Sequence, residues 1–177
     1  QYLTEGAVMI AFAIYLLDTG ATTVNLYPDG EHGKRYDLKA SLAEHGFRHI
    51  RSRGTTDYGG DYSRGEQIVT IIPKPGLGDV VAQMGQLTLV AECKGGVVNS
   101  RHAGHLSRLR RGLCEAVGLL MARPRSEERH VAVVPATTAT HAIARRMIAR
   151  TAAAGIEIAL VDGHGNVTFV EPATEEV

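Results

Sequence analysis

The sequence has few cysteines, no excess of either charge and no long apolar run, and each absence excludes a class of protein. Its two cysteines, Cys93 and Cys114, are spaced for neither a disulfide framework nor a four-ligand zinc site. Lys plus Arg and Asp plus Glu both total 19, so a nucleic-acid partner must be bound by a local basic patch. The longest apolar run, residues 7–17, is too short to cross a bilayer, and we expect a soluble, cytoplasmic protein with no membrane partner.

The apolar periodicity predicts one domain in which helices alternate with strands. Helices are predicted over residues 3–17 (capped by Thr4), 35–45, 103–122 and 138–153. Strands are predicted over residues 22–27, 47–51, 67–72, 130–134, 156–161 and 167–170, and a loop over residues 54–65. Continuously apolar runs are typical of strands covered on both faces, so we expect an α/β fold with helices flanking a central β-sheet. The apolar first helix must be covered by its own domain, a second subunit or another domain.

Residues 78–94 carry the most informative pattern, two short β-prone runs separated by a tight turn at residues 85–86. A hairpin with that turn fixes the register of the two strands and places Asp79 opposite Glu92. Because side chains alternate along a strand, Lys94 lies on the same face as Glu92. The three side chains are therefore predicted to converge.

Two carboxylates that face each other across a strand pair, roughly 5 Å apart at Cβ, repel each other. A divalent cation removes this conflict, and Mg²⁺ takes one or two carboxylates together with water and phosphate oxygens. Lys94 lies close enough to neutralise charge that develops on a phosphate, or to orient an attacking water. We therefore predict a Mg²⁺ site, in which Mn²⁺ can substitute, with Asp79, Glu92 and Lys94 as catalytic residues.

An Asp that opens one strand and a Glu-x-Lys that closes the next resemble the PD-(D/E)xK nuclease superfamily. The likeness covers residues 33–170 and is nearest to Mrr-type restriction endonucleases and archaeal junction resolvases. It implies a restriction-endonuclease-like core with a mixed sheet, in which Asp79, Glu92 and the backbone carbonyl of Cys93 hold the metal. The proline that often precedes the Asp is replaced by Gly78, and the Gly-Asp-Gly-Gly-Val-Asp pattern of Mrr relatives is only partly present, at residues 59–61.

The resemblance also implies an acidic residue on the opening helix that completes the metal site. Asp37, in the run GKRYD at residues 33–37, is the match, and Glu5 is the alternative. On this basis residues 1–30 form an extra N-terminal extension with an apolar helix and a strand. Residues 31–177 then form the nuclease domain.

The predicted helix that follows Lys94 begins with a basic stretch. Beside a phosphodiester site these side chains would contact backbone phosphates, and the candidate DNA-binding residues are Arg101, His102, Arg108 and Arg111. The alternatives are a solvated helix face, or an ion pair between Arg111 and Glu115. His102 and His105 lie one turn apart, but no third ligand completes a zinc site.

These patterns predict a metal-dependent DNA endonuclease of restriction or defence, expected to be a homodimer because double-strand cutting needs two sites. A branched-DNA resolvase is a close variant. Two alternatives remain open: a catalytically inactive nuclease-like module that binds DNA or protein, and an unrelated α/β protein that assembles through residues 3–17. Tyr58 and Tyr62 are candidates to stack on bases. The start at Gln1 is expected of a fragment, which leaves room for another domain or subunit that recognises the target.

Overall fold

The computed structural model describes residues 1–123 and 127–172, and within these ranges five helices and eleven strands follow one another. The helices are α1 (Glu5–Asp18), α2 (His32–Arg35), α3 (Leu38–Glu44), α4 (Ala103–Met121) and α5 (Thr138–Ala153). The strands are β1 (Tyr2–Leu3), β2 (Thr23–Leu26), β3 (Arg48–Ser52), β4 (Gly60–Arg64), β5 (Gln67–Ile71), β6 (Val80–Met84), β7 (Leu87–Cys93), β8 (Gly96–Val97), β9 (Arg129–Pro135), β10 (Ile156–Val161) and β11 (Val167–Phe169). None of the described helices is long and apolar enough to cross a membrane.

Nine strands form one mixed sheet in the order β11-β10-β9-β7-β6-β2-β5-β4-β3. The pairs β7–β9, β9–β10 and β2–β5 are parallel, and the other neighbours are antiparallel. Val131 and Val133 pack with α1 on one face, whereas Ala132 and Val134 pack with α4 and α5 on the other. The predicted α/β fold, a mixed central sheet flanked by helices, is confirmed, because central strands that are apolar on both faces require helices on both sides.

Helix α1 is covered by the chain's own sheet, the first of the three possibilities that its sequence left open. Its predicted cap is present, since the Thr4 hydroxyl accepts a hydrogen bond from the Ala7 N–H at 3.1 Å. Met9 and Phe12 are fully buried in the core that α1 shares with the sheet. Burying each such side chain stabilises the fold by about 1.5–3 kcal/mol. Residues 1–30 thus share one hydrophobic core with the strands that follow.

The segment predicted as a loop over residues 54–65 contains strand β4, so that prediction is wrong. Strand β4 pairs with β3 on one side and with β5 on the other. Tyr62 is 1% exposed and donates its hydroxyl hydrogen to the Tyr58 carbonyl, and Asp61 is paired with Arg53. Partner strands supply the burial that this glycine-rich sequence does not indicate locally. Tyr62 is therefore not available to stack on a base.

A two-stranded sheet of β1 and β8 brings the N-terminal segment to the end of β7. Gly95 permits this approach, because a Cβ there would lie 2.5 Å from the Glu5 nitrogen and 2.7 Å from the Leu3 carbonyl oxygen. Backbone therefore packs directly on backbone, with no room for a side chain. The contact holds the first turn of α1 beside Lys94.

Gly95→Ala is expected to lower the free energy of unfolding by about 1–3 kcal/mol, because the start of α1 must move away from the added methyl group. Gly118→Ala is the matched control. Gly118 is exposed within α4, none of the described residues comes within 4 Å of an added Cβ, and the change should stabilise the chain by about 0.5–1 kcal/mol. Urea denaturation measures both variants. A Gly95→Ala chain as stable as wild type would show that the N-terminal segment is not held against this glycine.

Candidate metal centre

The hairpin of β6 and β7 has the register that the sequence predicts. Val80 pairs with Ala91 and Met84 with Leu87, and Gly85 in the turn has a φ of +61°, a conformation that favours glycine. The residues that follow this last pair are Asp79 and Glu92, and their charges act on each other. The hairpin thus brings these two carboxylates to the end of the sheet.

Asp79 is held at this position by the backbone of β7. Its N–H donates to the Ala91 carbonyl at 3.0 Å, and its Oδ2 accepts a hydrogen bond from the Cys93 N–H at 2.7 Å. The Cys93 N–H therefore lies against the Asp79 carboxylate, whereas the resemblance implies the carbonyl of the same residue as a metal ligand. The Cys93 thiol is fully buried, and burial raises its pKa, so the thiol stays protonated.

A cleft of about 310 Å³ opens over these residues. Four carboxylates and one lysine line it together with apolar groups, and they are Glu5, Asp29, Asp79, Glu92 and Lys94. The four carboxylates outnumber the single lysine. The cleft is therefore suited to a cation.

The Lys94 ammonium lies between carboxylates from two helices. Its Nζ is 3.4 Å from Oε1 of Glu5 on α1 and 3.3 Å from Oε1 of Glu115 on α4. Burial lowers the pKa of Lys94, but Glu5, Asp79 and Glu115 together outweigh burial and raise the pKa to about 12. Lys94 is therefore charged at any physiological pH.

Glu92 is half-buried, and its ionised form is disfavoured. Burial first, and then the charge of Asp79, raises the pKa of Glu92 to about 7, although the Lys94 and Arg123 cations act in the opposite direction. The positive charge already present near Glu92 is thus too small to keep both carboxylates ionised easily. A divalent cation beside them would remove this penalty.

The acidic residue that joins the cleft from a helix is Glu5, and Asp37 lies elsewhere. The Asp37 side chain is exposed and caps α3, since its Oδ1 accepts from the Ala40 N–H at 2.8 Å. Thr4 caps α1 and places Glu5 in the first turn, where the β1–β8 pairing brings it to Lys94. The cap was readable in the sequence, but the long-range pairing was not.

The candidate DNA-binding side chains on or before α4 are all exposed, and they are Arg101, His102, Arg108 and Arg111. His102 caps the helix, because its Nδ1 accepts from the Gly104 N–H at 3.2 Å. Gly112 lies against Lys94, since a Cβ there would be 3.3 Å from the Lys94 Cβ. Arg108 precedes Gly112 by four residues and therefore lies on the same side of the helix. Glu115 pairs with Lys94 in the structure.

The donor set suits Mg²⁺ better than zinc. Within residues 1–123 and 127–172, no group of three or more His, Cys, Asp or Glu side chains is arranged to hold a metal ion by itself. Mg²⁺ needs only one or two protein carboxylates, because it keeps several waters and takes phosphate oxygens from a substrate. Asp79 and Glu92, with the Cys93 backbone next to them, meet this smaller requirement.

No family model, curated protein or solved structure matches this chain. The likeness to PD-(D/E)xK nucleases therefore depends on the sequence pattern and on the arrangement of Asp79, Glu92 and Lys94. What the cleft does has to be inferred from the side chains that line it.

Without divalent cations, Glu92→Gln should raise the melting temperature at about pH 8.5. The pKa of Glu92 in the folded chain, about 7, exceeds its ordinary value of 4.5, so ionising this carboxyl destabilises the fold as pH rises through that interval. Glutamine removes this penalty. The difference from wild type should vanish below about pH 3.5, where the carboxyl is protonated in both the folded and the unfolded chain.

Differential scanning fluorimetry in EDTA measures this effect, and Glu66→Gln, in an exposed turn, is the matched control. The control should show no such pH-dependent gain. Added Mg²⁺ should raise the melting temperature of wild type and leave that of Glu92→Gln nearly unchanged. A Glu92→Gln chain that melts below wild type at high pH in EDTA would contradict the conclusion that ionised Glu92 destabilises the fold.

Proposed function

We propose that this chain is a metal-dependent endonuclease that hydrolyses phosphodiester bonds in DNA, with Mg²⁺ held by Asp79 and Glu92. The observation that supports this most directly is the register of β6 and β7, which ends with Val80 opposite Ala91 and so brings the next residues, Asp79 and Glu92, close together near Lys94. A structural ion pair needs one carboxylate for Lys94, whereas this cleft has four. A bound cation would neutralise the carboxylates of the cleft, and a substrate phosphate would neutralise the Lys94 ammonium.

The resemblance to PD-(D/E)xK nucleases supports the same proposal. Asp79 opens one strand, Glu92 and Lys94 close the next, and Glu5 on α1 takes the place of the acidic residue on the opening helix. After β7 the chain continues through α4 to β9, which is parallel to β7. On this basis the central sheet is a restriction-endonuclease-like core.

The side chains divide the work according to their charge. Bound Mg²⁺ would polarise the scissile phosphate and lower the pKa of the attacking water. Because the pKa of Lys94 is about 12, its ammonium serves as a hydrogen-bond donor and a positive charge rather than as a general base. To contact the phosphate, the Lys94 ammonium gives up its ion pairs with Glu5 and Glu115. It then stabilises the negative charge that builds up as the phosphorus–oxygen bond breaks.

The proposal extends to the partners that the sequence indicates. DNA would lie along the exposed face of α4, with its phosphates contacted by Arg108 and Arg111. Cutting both strands at one position needs two clefts, so the active form would be a homodimer. The sequence left open that helix α1 packs against a second subunit. Because α1 is buried in the core of its own chain, the dimer would use another surface. A role in restriction or defence rests on the likeness to Mrr-type enzymes.

The chain is expected to cut DNA in Mg²⁺ or Mn²⁺ and to be inactive in EDTA. Asp79→Ala and Lys94→Ala should each reduce the cutting rate by roughly 100-fold or more, because the first removes a proposed metal ligand and the second removes the positive charge proposed to face the phosphate. Lys39→Ala, on the exposed face of α3, is the charge-matched control and should cut like wild type. Gel assays on plasmid, methylated and branched DNA provide the measurement.

Equal cutting by wild type and both site variants would reject the proposed site. A chain that cuts branched DNA but neither plasmid nor methylated duplex DNA would be a resolvase. DNA binding that no metal converts into cutting would point instead to a catalytically inactive nuclease-like module.

The affinity for duplex DNA should fall with salt, because phosphate contacts release counterions. Replacing Arg101, Arg108 and Arg111 together by alanine should reduce the slope of log K against log salt by about 2–3, roughly one for each phosphate that an arginine no longer neutralises. Fluorescence anisotropy in EDTA gives the slope without cutting. The same change at Arg145, Arg146 and Arg150, which are exposed on α5, is the charge-matched control. Equal slopes for the two triple variants would exclude α4 as the DNA-binding face.

A further inference from the structure

Arg123 lies just past the end of α4, and its guanidinium joins two parts of the chain that flank the cleft. Its Nη1 donates to the carbonyl oxygen of Leu77, and its Nη2 donates to Oε2 of Glu128 at 3.0 Å. The side chain is 19% exposed. The two bonds make Arg123 a bridge between the loop before Asp79 and the start of β9.

The loop end of this bridge has little freedom. Leu77 precedes Asp79 by two residues, with Gly78 between them. A Cβ at Gly78 would lie 2.7 Å from Cγ1 of Val90 and 3.5 Å from Oε1 of Glu92, so the loop backbone already touches β7. A shift of the Leu77 carbonyl would therefore move Asp79 relative to Glu92.

The other end of the bridge is fixed to the strand beside Glu92. Glu128 also contacts the His130 ring nitrogen Nε2 at 3.2 Å, and His130 belongs to β9. Strand β9 pairs with β7, with Ala132 opposite Glu92. Arg123 thus connects the segment that carries Asp79 to the strand that supports Glu92.

Arg123 occupies this place at a cost in free energy. Its Nε is buried and, within the described residues, has no hydrogen-bond partner. An apolar side chain would fill the same space without that penalty, because buried ion pairs often contribute little net stability. A role at the cleft accounts for a guanidinium that is buried with its Nε unsatisfied by any described residue.

We infer that Arg123 is a positioning residue, which fixes the Asp79 carboxylate relative to Glu92 and so sets the affinity of the cleft for a divalent cation. This inference rests on the proposed function. Residues that do not bind a metal themselves but hold its ligands in position commonly lower the metal affinity by roughly 10–100-fold when they are removed.

The test is Mn²⁺ binding without DNA, measured by electron paramagnetic resonance on wild type, Arg123→Ala, Arg123→Lys and Arg129→Ala. Arg129 is the matched control, since it forms a two-pronged ion pair with Glu157 and lies over the Phe169 ring, and neither of these residues lines the cleft. Arg123→Ala should raise the Kd for Mn²⁺ roughly 10–100-fold. Arg123→Lys, which can still donate to Leu77, should recover part of the loss. Arg129→Ala should lower the melting temperature and leave the Kd within about twofold of wild type.

An unchanged Kd in both Arg123 variants would overturn the inference, and so would an equal rise in Arg129→Ala. If Arg123→Ala does not fold, the Kd of Arg123→Lys decides in the same way. A wild-type chain that binds Mn²⁺ and cuts no DNA would overturn the proposed function alone. A wild-type chain that binds no Mn²⁺ would overturn both.

Discussion

The repulsion between Asp79 and Glu92 is the constraint on which the rest of the site depends. Once β6 and β7 pair with Val80 opposite Ala91, the residues next to that pair, Asp79 and Glu92, stay close together, and the Cys93 N–H holds the Asp79 carboxylate in place. Half-burial of Glu92 strengthens the repulsion, because water screens it less. The neighbouring elements supply Lys94 and Arg123, and a divalent cation would supply the remaining positive charge.

The site is assembled from segments that are far apart in sequence, so its geometry and the stability of the fold are coupled. Lys94 joins α1 through Glu5 and α4 through Glu115, and the β1–β8 pairing closes the N-terminal segment over this contact. Helix α4 has a second task, since its opposite face is buried against the sheet. A phosphate bound along α4 would therefore lie on a rigid element that also touches Lys94.

Local rules predict much of this architecture. Helix α5 spans the predicted residues, α4 ends one residue before its predicted end, and β10 has its predicted bounds. The meeting of Asp79 with Glu92 follows from a two-residue turn and from the alternation of side chains. Strand β4 was missed, because its glycine-rich sequence gains burial only from β3 and β5. Glu115 and Arg123 were also missed as groups near the cleft, since neither belongs to a motif.

The sequence by itself determined the longer helices, most strands of the main sheet, and the meeting of two carboxylates and a lysine at one end of a hairpin, because period, caps and turns act over a few residues. Only the tertiary structure decided that Glu5 rather than Asp37 joins them. That choice depends on the contact of Gly95 with the start of α1, more than eighty residues away along the chain. Contacts of such long range are set by packing of the whole core, which no local pattern records.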